Sequence, residues 1–535
     1  MNIEDTHSLV PNENNNGQRK DTKIKPVFEN LITSDVLKNH IQELVKGKEP
    51  LPHSEILNQL IEQFEPLEFD ALVFPQATQL KGKLENPNLS ADERKEINKQ
   101  LDRLRLNTKH LLVLTVENVL NEAKKHRWDL CKNQDFIYLF NGTFWANIDK
   151  ETFQKFLGEA AERMGVSKFS ARFFQFREQL FKQFLATAYL PSPEPVDNSV
   201  LINLQNGTFE ISPKGIQLRP FNSNDFITYQ LPFEYNPQAK APIFEKYLNT
   251  ILPEKEKQKL LAEYLGFVFI KHGSKVLKEE KALILYGTGA NGKSVFFEIV
   301  NALLGTENIS SHSLQDLTNE NGYYRAMIAN KLVNYASEIN GKLEASIFKQ
   351  IVSGEPITAR LPYGQPMQLK QYAKLIFNCN ELPKDVEHTN AYFRRFLIVP
   401  FDVTIPEKEQ DKQLHSKIIE NELSGVFNWV LDGLYRLLAQ KRFTHCEAVV
   451  NAVELYKTQS DSVKLFIQDN NYNNSPNQYE VIKDLYSEYR AYCVDDGFKP
   501  VNKQNFIKRL QGFGVVIEKR NIGNVAYLAN DRKPF

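Results

Sequence analysis

The chain has 535 residues, 41% of them hydrophobic and 25% charged, and its 66 lysines and arginines are balanced by 66 aspartates and glutamates. That length exceeds what a single core supports and suggests three or four units, while zero net charge excludes a polybasic coat and makes any nucleic-acid contact local. No apolar run approaches the roughly 20 residues of a membrane span, so a cytoplasmic protein without membrane contact is expected.

In chain order, residues 1–25 are polar and asparagine-rich and are expected to form a disordered tail. Over 26–125 the spacing predicts helices: Ser90 and Glu93 stand as an N-cap and its capping-box partner, followed by Ile97, Leu101 and Leu104 at helical intervals. From 126 the texture changes. "FIYLFNGTFW" and "LINLQNGTFEISPKG" each set Asn-Gly between β-prone runs, a hairpin signal, before helical periodicity returns in "PIFEKYLNTIL" and "EKEKQKLLAEYLG". The four cysteines, Cys131, Cys379, Cys446 and Cys493, are scattered, which supports neither a disulfide framework nor a zinc ribbon.

The densest chemistry lies in "KALILYGTGANGKSVFFEIVNALLG", an apolar strand, a loop and a helix ending at Gly305. The loop Gly287, Thr288, Gly289, Ala290, Asn291, Gly292, Lys293, Ser294 completes the pattern G-x-x-x-x-G-K-[ST]. Its glycines let backbone N–H groups wrap phosphate oxygens at the positive end of a helix. Lys293 is placed to reach the β- and γ-phosphates of ATP, and the Ser294 hydroxyl to join the shell of Mg²⁺.

Two further strands end in polar groups. "NKLVNYASEING" offers Glu338, assigned to activation of the attacking water. "YAKLIFNCNELP" offers Asn378 and Asn380, of which Asn380 can touch the γ-phosphate without adding charge. Strand ends of a parallel sheet share one edge, which gathers the loop, Glu338 and Asn380 around one nucleotide. Between them, "PITARL" and "MQLKQYAK" flank the turn "PYGQP" and read as a hairpin carrying Arg360, Tyr363, Lys370 and Lys374, a cation and aromatic mixture suited to single-stranded nucleic acid. An ordinary surface hairpin is the competing reading.

In "AYFRRFLIVPF", Arg394 and Arg395 precede another apolar strand without an evident phosphate of their own. The C-terminal stretch from Gln478 reads as two helices, a turn, a third helix after Asn502 and a two-strand wing turning near Gly523, with Lys503, Lys508 and Arg509 on the third helix. That is a winged-helix pattern, in which such cations meet duplex DNA.

In order and spacing, GTGANGKS, ASEING, KQIVSGEPITARLPYG, FNCNELP and YFRRFLIVPF resemble the superfamily 3 helicases, in the branch of phage and plasmid primase-helicases and poxvirus-type helicase-primases. The resemblance covers about 130–535. It implies an α/β chain with an AAA+ type P-loop ATPase core over 256–405, a mixed α+β N-terminal region, a helical segment at 406–458 and a winged-helix-like domain at 459–535. It likewise implies a helicase-associated domain over 126–255. Lys293 and Ser294 match the Walker A residues, Glu338 the Walker B acid, Asn380 the sensor asparagine, and Arg394 and Arg395 the arginine-finger pair. Lys349 through Lys370 match the segment that faces DNA in the ring channel.

Expected partners are ATP and Mg²⁺, single-stranded and duplex DNA, further copies of the chain in a hexamer, and a separate primase or other replication proteins. Residues 1–125 lack the clustered acids of a primase, so primase activity is not expected. The competing functions are an AAA+ initiator or loader that remodels DNA without processive unwinding, and a monomeric P-loop phosphotransferase.

Overall fold

In the computed structural model of the chain, the described residues are 51–133, 136–188, 198–337, 339, 343–362, 364–383 and 386–530. The expected tail at 1–25, and with it Glu338 and Tyr363, lie outside them.

The N-terminal part is helical and then antiparallel. Ser90 caps the helix Ala91–Arg103 as expected, its Oγ accepting from the Glu93 N–H at 3.3 Å while Glu93 Oε2 accepts from Ser90 N–H at 2.9 Å. This helix buries none of its side chains, so its charges form a solvated face. Helices Thr108–Lys125, Lys150–Arg163 and Phe174–Thr187 instead share an apolar core with Leu139 and Ile137. Two three-stranded antiparallel sheets, spanning 129–148 and 200–219, account for the short strands. Asn141-Gly142 sits in a turn of the first sheet, while in the second Asn206 closes the turn and Gly207 opens the next strand, Asn206 holding Tyr235 through two hydrogen bonds.

Helices α1 (Pro242–Ile251) and α2 (Lys255–Phe267) lead into a five-stranded sheet. Its strands are β1 (Ala282–Tyr286), β2 (Ile309–Ser310), β3 (Val333–Ala336), β4 (Lys374–Cys379) and β5 (Phe396–Pro400). They run parallel in the order β5-β1-β4-β3-β2. Their sequences are apolar almost throughout, because helices cover both faces of a parallel sheet. Helix α3 (Lys293–Leu304) follows β1, and helix α4 (Ala345–Ser353) precedes a small antiparallel hairpin of Ile357–Ala359 and Met367–Leu369.

The 27-residue helix α5 (Leu414–Gln440) closes the core against α2. A Cβ on Gly433 would lie 2.3 Å from the Ala262 carbonyl carbon, so the two backbones touch at that crossing. Beside it, fully buried Glu263 accepts from Arg436 Nε at 2.6 Å and from Thr444 N–H at 2.7 Å. Helix α6 (Glu447–Gln459) packs Tyr456 on Phe393 and Phe396.

The C-terminal unit has its own core of Phe466, Tyr489, Phe506 and Leu510. It comprises helices α7 (Ser462–Asp469), α8 (Ile482–Asp495) and α9 (Lys503–Gly512), and the antiparallel pair Ile517–Arg520 and Gly523–Ala526 joined by a tight turn. The whole is a mixed α/β protein, and no helix among the described residues is long and apolar enough to cross a membrane.

Candidate active site

The phosphate-loop residues leave β1 at the C-terminal edge of the sheet. Gly287 is held there by its N–H donating to Cys379 O at 3.0 Å. A side chain at this position has no room, since a Cβ would meet Asn291 Nδ2 at 2.3 Å and Phe401 O at 2.7 Å. Gly292 adopts φ 86°, in the left-handed region that only glycine enters cheaply, and turns the chain into α3. Its carbonyl accepts from the Tyr247 hydroxyl at 2.8 Å.

Lys293 is buried, and its Nζ donates to Gly287 O at 2.5 Å and to Asn291 Oδ1 at 3.2 Å. Burial lowers its pKa below the usual lysine range. The ammonium is thus folded back on its own loop, poised for a stronger acceptor. Asn291 completes the arrangement by donating to Phe401 O at 3.1 Å. Two backbone bonds add to this: Phe401 N–H to Tyr286 O at 2.7 Å and Ile405 N–H to Ala290 O at 2.8 Å. The exit of β5 is therefore fastened to the loop at three points.

A cleft of about 1040 Å³ opens beside Gly289 through Val295, with Asn380 at its border. Its far walls come from α1, through Ile243, Tyr247 and Ile251, and from Ile405 and Leu414 ahead of and within α5. Nothing in the loop motif pointed to these walls; only the apolar periodicity of "PIFEKYLNTIL" hinted that α1 packs inward. Asn380 is exposed at the end of β4, whereas Asn378 accepts from the Tyr335 hydroxyl at 3.1 Å. Ser294 is exposed in the cleft, and a hydroxyl oxygen suits a hard cation such as Mg²⁺. Among the described residues no three His, Cys, Asp or Glu side chains cluster as a metal site.

Arg394 and Arg395 stand at the opposite edge. Phe396 pairs in register with Ala282, and Pro400 with Tyr286, so the arginines precede β5 where the loop follows β1. At about 3.3 Å per residue they lie roughly 20 Å along the strand from the loop. The two differ sharply. Arg395 has a 9% exposed side chain, ion-paired to Glu280 at 3.1 Å and donating to Ser353 Oγ at 2.8 Å. Arg394 is 64% exposed and reaches Glu280 only at 3.5 Å. Glu280, 114 and 115 positions upstream of the pair, carries no sequence signal of this role.

The expected DNA-facing residues also divide. Lys349 Nζ is paired to Glu387 at 2.9 Å, and Arg360 donates to Tyr323 OH at 2.8 Å while lying over its ring. Arg509 binds Asp461 Oδ1 at 3.0 Å, tying α9 to the start of α7. Lys370, Lys503 and Lys508 are exposed and have no ion pair among the described residues.

Residues 117–253 match the family model "D5 N terminal like", and residues 285–395 match DUF5906, a family of unknown function. "Putative helicase L207/L206" of Acanthamoeba polyphaga mimivirus is 27% identical over 241 residues, covering 42% of this chain and 24% of that protein. "Putative helicase 121R" of Invertebrate iridescent virus 3 is 21% identical over 367 residues, covering 59% of this chain and 37% of that protein. The chain therefore spans only about a quarter to a third of the length of these relatives. Among solved structures, the apo C-terminal region (305–718) of NrS-1 aligns with 78% of the chain at 14% identity and a TM-score of 0.43. The chain is thus similar, over separate stretches, to the D5 N-terminal-like family and to viral proteins named as putative helicases.

Proposed function

We propose that the chain is an ATP-dependent DNA helicase of the ring-forming superfamily 3 type, an AAA+ ATPase that unwinds duplex DNA in replication of a mobile element. The observation that carries this reading is the separation of Arg394 from the phosphate loop along β5 and β1, together with its exposure. An arginine that distant cannot serve its own loop, but it can complete the site of a neighbouring copy. Gly287 to Ser294 cradle the triphosphate, with Lys293 exchanging its loop acceptors for phosphate oxygens. Asn380 and Glu338 orient the attacking water. Mg²⁺, when bound with ATP and held through Ser294, offsets phosphate charge.

Arg394 is the finger in this scheme. Arg395 is its positioning neighbour, anchored through Glu280 and Ser353. Arg360, Tyr363 and Lys370 meet single-stranded DNA at the hairpin, and Lys503 and Lys508 meet duplex DNA as the third helix of a winged-helix domain. The charges of Lys349 and Arg509 are engaged within the chain and serve chiefly to hold the elements that present the others.

Mixing K293A subunits with R394A subunits tests the shared site. Recovery of ATPase activity and of fork unwinding in mixed rings is expected, since some interfaces then hold an intact lysine opposite an intact arginine. Mixed rings, verified by pull-down of a tagged subunit, that stay inactive at every ratio would sink the proposal.

A further inference from the structure

Away from the nucleotide cleft, four lysines and a histidine converge on one cavity at the root of the hairpin. The cavity, about 90 Å³, lies where residues 226–229, the stretch 268–272 after α2, residues 330–332 and the segment 370–374 meet. Lys271, Lys331, Lys370 and Lys374 line it with His272, and no carboxylate of the described residues does. Lys370 leaves the hairpin and Lys374 begins β4, so the cavity sits under the short link between those two elements.

Lys374 is the most enclosed of the four, 8% exposed. Its Nζ is 3.0 Å from His272 Nδ1 and 4.3 Å from the centre of the Phe267 ring. His272 Nε2 lies 3.1 Å from Tyr372 O, so Nε2 carries the proton and Nδ1 accepts from the amine. Burial brings the Lys374 pKa down to about 7. It also lowers those of Lys271 and Lys331, against partial opposition from Asp225 and Glu307, which stand outside the lining. Asp225 is already committed to both terminal nitrogens of Arg219 at 2.8 and 2.9 Å.

Lys374 is buried without a carboxylate partner, and half-buried Lys271 and Lys331 donate to backbone carbonyls, of Asp225 at 3.3 Å and of Glu307; an apolar side chain would pack at the Lys374 position without the penalty of an enclosed amine. Convergence of four lysines on one polar cavity calls for an anion. A water requires about 10–15 Å³ on this measure, so the space admits a group of several heavy atoms. We propose that the cavity binds a phosphate-class oxyanion, held by Lys271, Lys331 and Lys374 with the exposed Lys370 at its side. The group comes either from a free phosphate or pyrophosphate, or from the backbone of a nucleic-acid strand lying against the hairpin. Bound there, it joins the hairpin root to the strand that ends in Asn380.

The test uses the full-length K293A chain, in which the phosphate loop is disabled, so its outcome is independent of the ATPase reading. Thermal unfolding is compared in sodium phosphate and in sodium chloride at equal ionic strength, alone and with K374M or K271M added. Anisotropy of labelled pentathymidylate is followed in parallel. A phosphate-specific rise of about 3 °C or more that both substitutions abolish is expected if the oxyanion is free. A drop of about tenfold in oligonucleotide affinity, with no phosphate-specific rise, assigns the source to the nucleic-acid backbone. If neither substitution alters either readout, the proposal is overturned. Methionine keeps the length of the lysine stem, and K271M stands alone should K374M fail to fold by circular dichroism.

Discussion

The two edges of the parallel sheet hold their cations in opposite ways. At the C-terminal edge, Lys293 is buried and tethered by a carbonyl and an amide of its own loop, groups that would release it at little cost to the phosphate of the proposed function. At the N-terminal edge, Arg395 is locked by a carboxylate and a hydroxyl while its neighbour Arg394 projects outward. Adjacent residues of one type thus differ in what they can reach, and under the proposed function each edge supplies half of a site completed between copies.

The largest effect expected is from K293A, which should reduce ATP hydrolysis to background without lowering the melting temperature. Next, R394A should cost about 10³-fold in kcat, by analogy with trans-acting arginines, with nucleotide affinity measured by titration left intact. R395A should invert that pattern of cause. Removing one partner of a largely enclosed ion pair destabilises the fold by about 2 kcal/mol after allowance for the partial exposure of Glu280, read as a lower denaturant midpoint. An equal and purely kinetic loss in both variants would erase the distinction drawn between the two arginines.

A smaller change is expected from N291A, which frees the loop from Phe401 and should weaken ATP binding several-fold, seen as a raised KM. The smallest is a matter of slope. Lys374 in the folded chain titrates near 7, against 10.5 when unfolded. Between those values the unfolded chain binds a proton that the folded chain does not, so stability rises with pH across the window, by at most about 1.4 kcal/mol per pH unit. In K374M, denaturant unfolding followed over the same range should show a flatter dependence.

What was readable in the sequence was local. The loop motif, the buried parallel strands, the capping box at Ser90 and Glu93 and the third helix after Asn502 each depend on residues a few positions apart, where period and capping chemistry suffice. What escaped was assembled from distant segments. Arg395 is buried because Glu280 meets it from the segment just ahead of the neighbouring strand β1, Lys349 is paired because Glu387 returns beside α4, and the lysine cavity draws on four stretches separated by dozens of residues. Sequence spacing carries no trace of such encounters, since an identical Arg-Arg pair would read the same whether its partner was solvent, a carboxylate or a neighbour's phosphate.

The three bonds from Phe401, Ile405 and Asn291 that fasten the end of β5 to the phosphate loop have a consequence for timing. Arg394 and Phe401 are separated by one short, fully packed strand, which transmits displacement lengthwise as a stiff rod does. Were the chain to act as the proposed ring, displacement of Arg394 on a neighbour's loss of γ-phosphate would have this strand as its route to the subunit's own loop. The subunits would then fire in succession around the circle rather than at random.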